Sequence, residues 1–84
     1  TTTIINKAGL HARAAAKLVE LTGGLESAIQ IGHDKMVDGK SILSLMMLAA
    51  VQGTEISIEV DGADEERAMS AVLKLIENRF DEAE

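Results

Sequence analysis

From Glu55 to Asp61 the chain alternates without interruption, setting Ile56, Ile58 and Val60 against Glu55, Ser57, Glu59 and Asp61. Successive side chains of a strand point to opposite faces, so this segment reads as a strand with one face buried and the other in water. Half-buried strands of this kind belong to antiparallel sheets. Whatever covers the apolar face must come from a chain of 84 residues, which has material for one core. The expectation is a single domain over residues 1–84, built as one sheet with helices on one side.

The remaining segments supply that cover. Thr1 to Ile5 is rich in β-branched residues and reads as a strand, and Leu25 to Ile31 places Ser27, Ile29 and Ile31 on one face of another. Gly32-His33-Asp34-Lys35 forms a hairpin turn, with His33 in solvent, to a short strand at Met36-Val37. Ala12 to Thr22 has helical spacing, with Ala15, Leu18, Val19 and Thr22 inward and Lys17 and Glu20 outward. Gly23-Gly24 follows as a left-handed stop. A last helix, capped by Asp64 or a neighbour, turns Ala68, Val72, Leu75, Ile76 and Phe80 or Arg79 inward. The order strand, helix, strand, strand, helix, strand, helix gives an α+β fold, a four-stranded antiparallel sheet covered on one face by three helices.

The middle helix is the anomaly. Ser41 is placed to cap it, and the run from Ile42 to about Val51 is apolar almost all round. So short a chain cannot cover such a helix on every side. Leu45 and Leu48 share an inward stripe, which leaves Ile42, Leu43, Met46 and Met47 as an exposed patch of the flexible, Met-rich kind that docks partners.

Composition narrows the function. There is no cysteine, so disulfides and thiolate metal sites are excluded. A net charge of −6 and a single aromatic, Phe80, disfavour nucleic acid. No apolar run approaches the roughly 20 residues of a membrane span, and no basic-then-apolar leader is present, so the expected location is the cytoplasm. His11, His33, Asp34 and Asp38 are the conceivable metal ligands, but no pair has ligand spacing and no metal is expected.

One stretch carries chemistry: Gly9-Leu10-His11-Ala12-Arg13-Ala14-Ala15-Ala16. A helix beginning just after His11 leaves its first N–H groups unpaired, which with the helix dipole makes an anion site beside an imidazole. Arg13 adds a charge suited to phosphate or carboxylate. A histidine that accepts a phosphoryl group fits this arrangement, as does one that merely sits near a helix start.

These residues resemble the active-site motif of the HPr phosphocarrier family of the bacterial phosphotransferase system. Gly39-Lys40-Ser41-Ile42-Leu43 resembles the family's second motif, around its regulatory serine. The resemblance extends over essentially the whole chain and implies an open-faced β-sandwich, βαββαβα. It implies that His11 is the phosphoacceptor, through Nδ1, and that Arg13 stabilises the phosphate. Enzyme I would be the donor and an enzyme IIA domain the acceptor, either in sugar uptake or in the nitrogen-related branch of the system. Asn6-Lys7, Met46-Met47-Leu48 and the Arg79-Phe80-Asp81-Glu82 ending are closer to the nitrogen type. Ser41 matches the position modified by a serine kinase/phosphatase. Docking is expected over Ala12, Arg13, Ala16, Lys17, Ile42, Leu43, Met46 and Met47, on a monomer that carries no cofactor and acts as a stoichiometric carrier rather than an enzyme.

One residue departs from the family pattern. Ala14 stands where the family usually has proline, which keeps the helix but loosens its first turn. Two other classes are weighed beside the carrier. One is a regulatory module that binds through the Ile42/Leu43/Met46 patch without phosphotransfer. The other is a small ligand- or metal-binding domain of ferredoxin-like arrangement.

Overall fold

A computed structural model describes residues 1–83; Glu84, the last residue of the expected domain, lies outside them. The element order is β1 (Thr2–Thr3), α1 (Ala12–Thr22), β2 (Ala28–Gly32), β3 (Met36–Asp38), α2 (Ile42–Met47), β4 (Glu55–Asp61) and α3 (Glu65–Glu77), closed by a 3₁₀ turn, Arg79–Asp81. All strand pairs are antiparallel, in the order β1-β4-β2-β3. β4 is therefore interior to the sheet, with Ile58 opposite Ile31 and Val60 opposite Ile29. Its alternation is realised as expected: Ile56 and Ile58 are buried while Glu55 and Glu59 are exposed. The three helices close over the apolar face, and one cluster containing Leu18, Ile31, Leu45, Ile56, Val72 and Ile76 forms the core.

Five local features differ from expectation. β2 runs Ala28–Gly32 rather than from Leu25 to Ile31, so Gly32 pairs with Met36 instead of standing in the turn. β1 spans two residues rather than the whole of Thr1 to Ile5. Beyond Thr3 the chain turns inward: fully buried Ile4 bonds through its N–H to the Thr54 carbonyl and accepts the Gly53 N–H, and Asn6 is buried behind it. The stop after α1 is not left-handed. Gly23 has φ −63°, and the helix closes with the Gly23 N–H on Val19 and the Gly24 N–H on Leu21. α2 ends at Met47 instead of near Val51, because Ala49 adopts φ 51° and the Ala50 carbonyl accepts the Leu10 N–H at 2.8 Å. Phe80 does reach the core, but not by continued helical spacing. α3 stops at Glu77, and Arg79, Phe80 and Asp81 all take positive φ, which swings the ring back under the helices.

Asp64 occupies the N-cap position of α3, yet its side chain makes no cap bond. Its carboxylate reaches across to the segment before β2, where it accepts the N–H of Glu26 (3.0 Å), the N–H of Ser27 (2.9 Å) and the Ser27 hydroxyl, and it pairs with Arg67 at 3.1 Å. The Ser27 hydroxyl, followed by the Glu26 amide, holds this carboxyl far below its ordinary value of 3.8. A depressed acid contributes stability that is full above its unfolded pKa and is lost as pH falls through the folded one. Resistance to urea should therefore fall steadily below about pH 4. Asp64→Asn should be less stable near neutrality and flatter in that acid range, and acid dependence parallel to that of the parent would contradict this role.

Candidate phosphoacceptor site

The sequence places His11 immediately before a run of strong helix formers, and the chain uses it as the N-cap of α1. His11 has extended backbone (φ −88°, ψ −176°), and its Nδ1 accepts the Arg13 N–H at 3.2 Å. Its own carbonyl accepts the Ala15 N–H at 2.8 Å, the first full turn of the helix. The N–H groups of Ala12, Arg13 and Ala14 thus precede the intrahelical ladder and converge beside the imidazole. Fully buried Ala14 and Ala15 anchor this turn to the core, while Ala12, Arg13, Ala16 and Lys17 face outward.

The other ring nitrogen is also held. His11 Nε2 lies 2.7 Å from Glu82 Oε2. Because Nδ1 accepts a backbone N–H, the proton of the neutral ring belongs on Nε2, which donates to the carboxylate. Glu82 Oε1 in turn accepts Asn6 Nδ2 at 3.0 Å, and the same amide nitrogen donates to the Gly9 carbonyl at 2.8 Å. Burial pushes the Glu82 carboxyl up. The hydrogen bonds from Asn6 and His11, with the charges of His11 and Arg13, outweigh that and hold it below the ordinary carboxylate range. Among the described residues, Asn6 Oδ1 is the one buried side-chain polar atom without a partner. Beside this chain, Lys7, Arg13 and Lys17 line an open groove with Asp81 and Glu82, and Lys17 Nζ sits 3.5 Å from Asp81.

The residues expected at the site fall into two groups. His11 and Arg13 meet at the start of α1. Ser41 lies at the start of α2, where its Oγ accepts the Ser44 N–H at 3.3 Å, as a cap should. On α2, Leu45 is buried, and Ile42 (41%), Leu43 (71%), Met46 (41%) and Met47 (76%) are exposed, so the apolar excess does face outward. Leu48 is half-buried. α1 and α2 pack against each other, so the two groups ride on adjoining helices. His33 is exposed in its turn but not free, since its Nε2 donates to the Leu48 carbonyl at 3.1 Å. Among the described residues no three His, Cys, Asp or Glu side chains gather where an ion could bind, and no helix is long and apolar enough to cross a membrane.

Sequence reasoning missed Asn6 and Glu82 as members of the site. Asn6 read as a turn former, which it also is. Glu82 is 71 residues from His11, and no spacing rule connects them.

Comparisons with known proteins agree on a family. A family model described as the PTS HPr component phosphorylation site matches residues 1–78. The phosphocarrier protein HPr of Cupriavidus necator is 54% identical over 84 residues, covering 99% of this chain and 94% of that protein. Among solved structures, HPr-C-His from Thermoanaerobacter tengcongensis superposes with a TM-score of 0.92 at 41% identity, covering 98% of this chain and 93% of that one. An HPr dimer from the same organism gives 0.81 at 42% identity, covering 98% and 95%. The chain therefore belongs to the HPr family of phosphocarrier proteins of the phosphotransferase system.

Proposed function

We propose that His11 is the residue on which this phosphocarrier holds its phosphoryl group, and that Nδ1 is the accepting atom. The observation that carries the reading is the bond from the Arg13 N–H to Nδ1, which directs the electron pair of the neutral ring at the N-terminus of α1. In the transfer, that pair forms the N–P bond while the bond from phosphorus to the donor breaks and its electrons leave with the donor. No proton need move. The Arg13 N–H, released from Nδ1, then donates to a phosphoryl oxygen beside the neighbouring unpaired amides, and the Arg13 guanidinium lies within reach of the same charge. Phosphoryl transfer asks for placement and charge stabilisation more than covalent chemistry, and an exposed helix N-terminus supplies both while leaving the group open for handover.

The donor in this reading is phosphorylated enzyme I and the recipient an enzyme IIA domain. Each docks in turn, in the cytoplasm, over Ala12, Arg13, Ala16, Lys17, Ile42, Leu43, Met46 and Met47 of a monomer that acts stoichiometrically rather than as an enzyme. What supports that surface is the exposure of the apolar α2 residues on a helix packed against α1. Ser41 is the proposed regulatory site for a serine kinase/phosphatase. Phosphate there would sit at the α2 N-terminus next to Ile42 and Leu43 and weaken docking by its charge. Incubation with enzyme I and labelled phosphoenolpyruvate tests the central claim. The chain should gain an acid-labile phosphate that maps to His11, and His11→Ala should gain none. Label on another residue, or equal label in the variant, would falsify it.

A further inference from the structure

The bonds around His11 converge on Glu82. Asn6 Nδ2 donates to the Gly9 carbonyl and to Glu82 Oε1, Glu82 Oε2 accepts from His11 Nε2, and His11 Nδ1 accepts from the Arg13 N–H. Glu82 donates nothing, and both its oxygens are engaged by donors. A chain polarised in this way admits one arrangement of the imidazole, with the proton on Nε2 and the electron pair on Nδ1. It also fixes the ring plane, because the imidazole is gripped at both nitrogens.

The placement of Glu82 is not incidental. α3 ends at Glu77, and Arg79, Phe80 and Asp81 then take φ of 58°, 53° and 62°, a conformation that L residues adopt at a cost. Phe80 is buried and pins this turn to the core. Lys17 of α1 pairs with Asp81, and Asn78 Nδ2 donates to Asp81 Oδ1 at 2.7 Å. The strained turn reverses the chain so that the next residue meets His11. The charged groups around the ring are then Glu82 and Arg13, with Lys7, Lys17 and Asp81 along the adjoining groove.

We propose that Glu82 is a positioning residue for phosphoryl transfer: through its bond to Nε2 it holds His11 in the tautomer and orientation that present the Nδ1 electron pair to incoming phosphorus. This rests on His11 being the phosphoacceptor. When the N–P bond forms, the ring that donated its pair becomes electron-poor, and the carboxylate facing Nε2–H offsets the charge without taking the proton. Glu82 does not touch the transferred group; it acts through the imidazole.

The experiment compares the parent chain with Glu82→Gln and Glu82→Ala. A carboxamide offers one acceptor oxygen and cannot serve Asn6 and His11 together, so Glu82→Gln disrupts the chain of bonds at nearly constant size. Two quantities are read: the tautomer of neutral His11 by ¹⁵N NMR, and the rate of phosphorylation by phosphorylated enzyme I. In the parent, Nε2–H should dominate. In both variants the Nδ1–H form should rise from a trace to a substantial fraction, and the rate should fall about tenfold. Glu82→Ala guards against a misplaced Gln side chain. A slower rate with an unchanged tautomer would mean that Glu82 only stiffens the fold, and an altered tautomer with an unchanged rate would mean that orientation is immaterial; either overturns the proposal. Mapping the label in the parent separates the two readings. Phosphate away from His11 defeats the phosphoacceptor assignment itself, whereas phosphate on His11 with indifferent Glu82 variants defeats only the positioning role.

Discussion

Leu45→Ala will lower the stability of this protein by about 3 kcal/mol, the middle of the range for removing a fully buried leucine side chain. Leu45 is 0% exposed and is the one buried residue of α2, a helix of six residues. So short a helix has almost no stability of its own, because nucleation alone is unfavourable. It is held by the capping bond at Ser41, by the contact with α1 and by this side chain in the core. For a domain of this size the loss corresponds to a fall in Tm of roughly 15 °C. Chemical unfolding should show it as a shifted midpoint at unchanged slope. Met46→Ala, on the same helix but partly exposed, should cost less than about 1 kcal/mol. Equal effects of the two substitutions would mean that α2 is not anchored through Leu45.

The same helix shows what the sequence could and could not disclose. The apolar excess of Ile42 to Val51 was legible as a surface patch, because 84 residues cannot enclose a helix that is apolar all round. Its length was not. The helix stops early because Ala49 takes φ 51°, a turn that brings the Ala50 carbonyl to the Leu10 N–H of the loop before His11, forty residues upstream. Periodicity reports which side of an element faces the core, and it did so for β4, α1 and α3. It is silent on where a backbone turn ends the element. Asp64 makes the same point: its position at the head of α3 was readable, but its carboxylate serves Glu26 and Ser27 instead of the helix.

The candidate site divides along that line too. His11, Arg13 and the unpaired amides are neighbours in sequence, so the anion site could be read from a local pattern. Glu82 and Asn6 are joined across 76 residues, and Glu82 reaches His11 only because three consecutive residues take positive φ in a turn where no glycine announces it. Side chains that accept or stabilise a phosphoryl group can be local. The groups that aim them come from wherever the fold brings the chain back.

Gly9→Ala should be the most damaging conservative change next to the site, at about 3 kcal/mol from two sources. Gly9 has φ 71°, and a Cβ there would lie 2.6 Å from the Ala50 carbonyl oxygen and 2.9 Å from Val51 Cα. Both are backbone atoms and cannot rotate away. Gly9 is also where the two halves of the site are fastened together, since its carbonyl accepts Asn6 Nδ2 and the next residue donates to Ala50. Relieving the clash pushes the His11 loop away from the segment that ends α2 and pulls on the Asn6–Glu82–His11 bonds. Phosphorylation by enzyme I should therefore slow along with the loss of stability. Gly53→Ala isolates the steric part. Gly53 has φ 91° and would meet nothing within 4 Å, so its substitution reports the conformational strain alone, about 1–2 kcal/mol. If unfolding midpoints show Gly9→Ala to be no worse than Gly53→Ala, the contact between the His11 loop and the end of α2 is looser than its geometry implies. The coupling of His11 to α2 would then have to run through the α1–α2 packing instead.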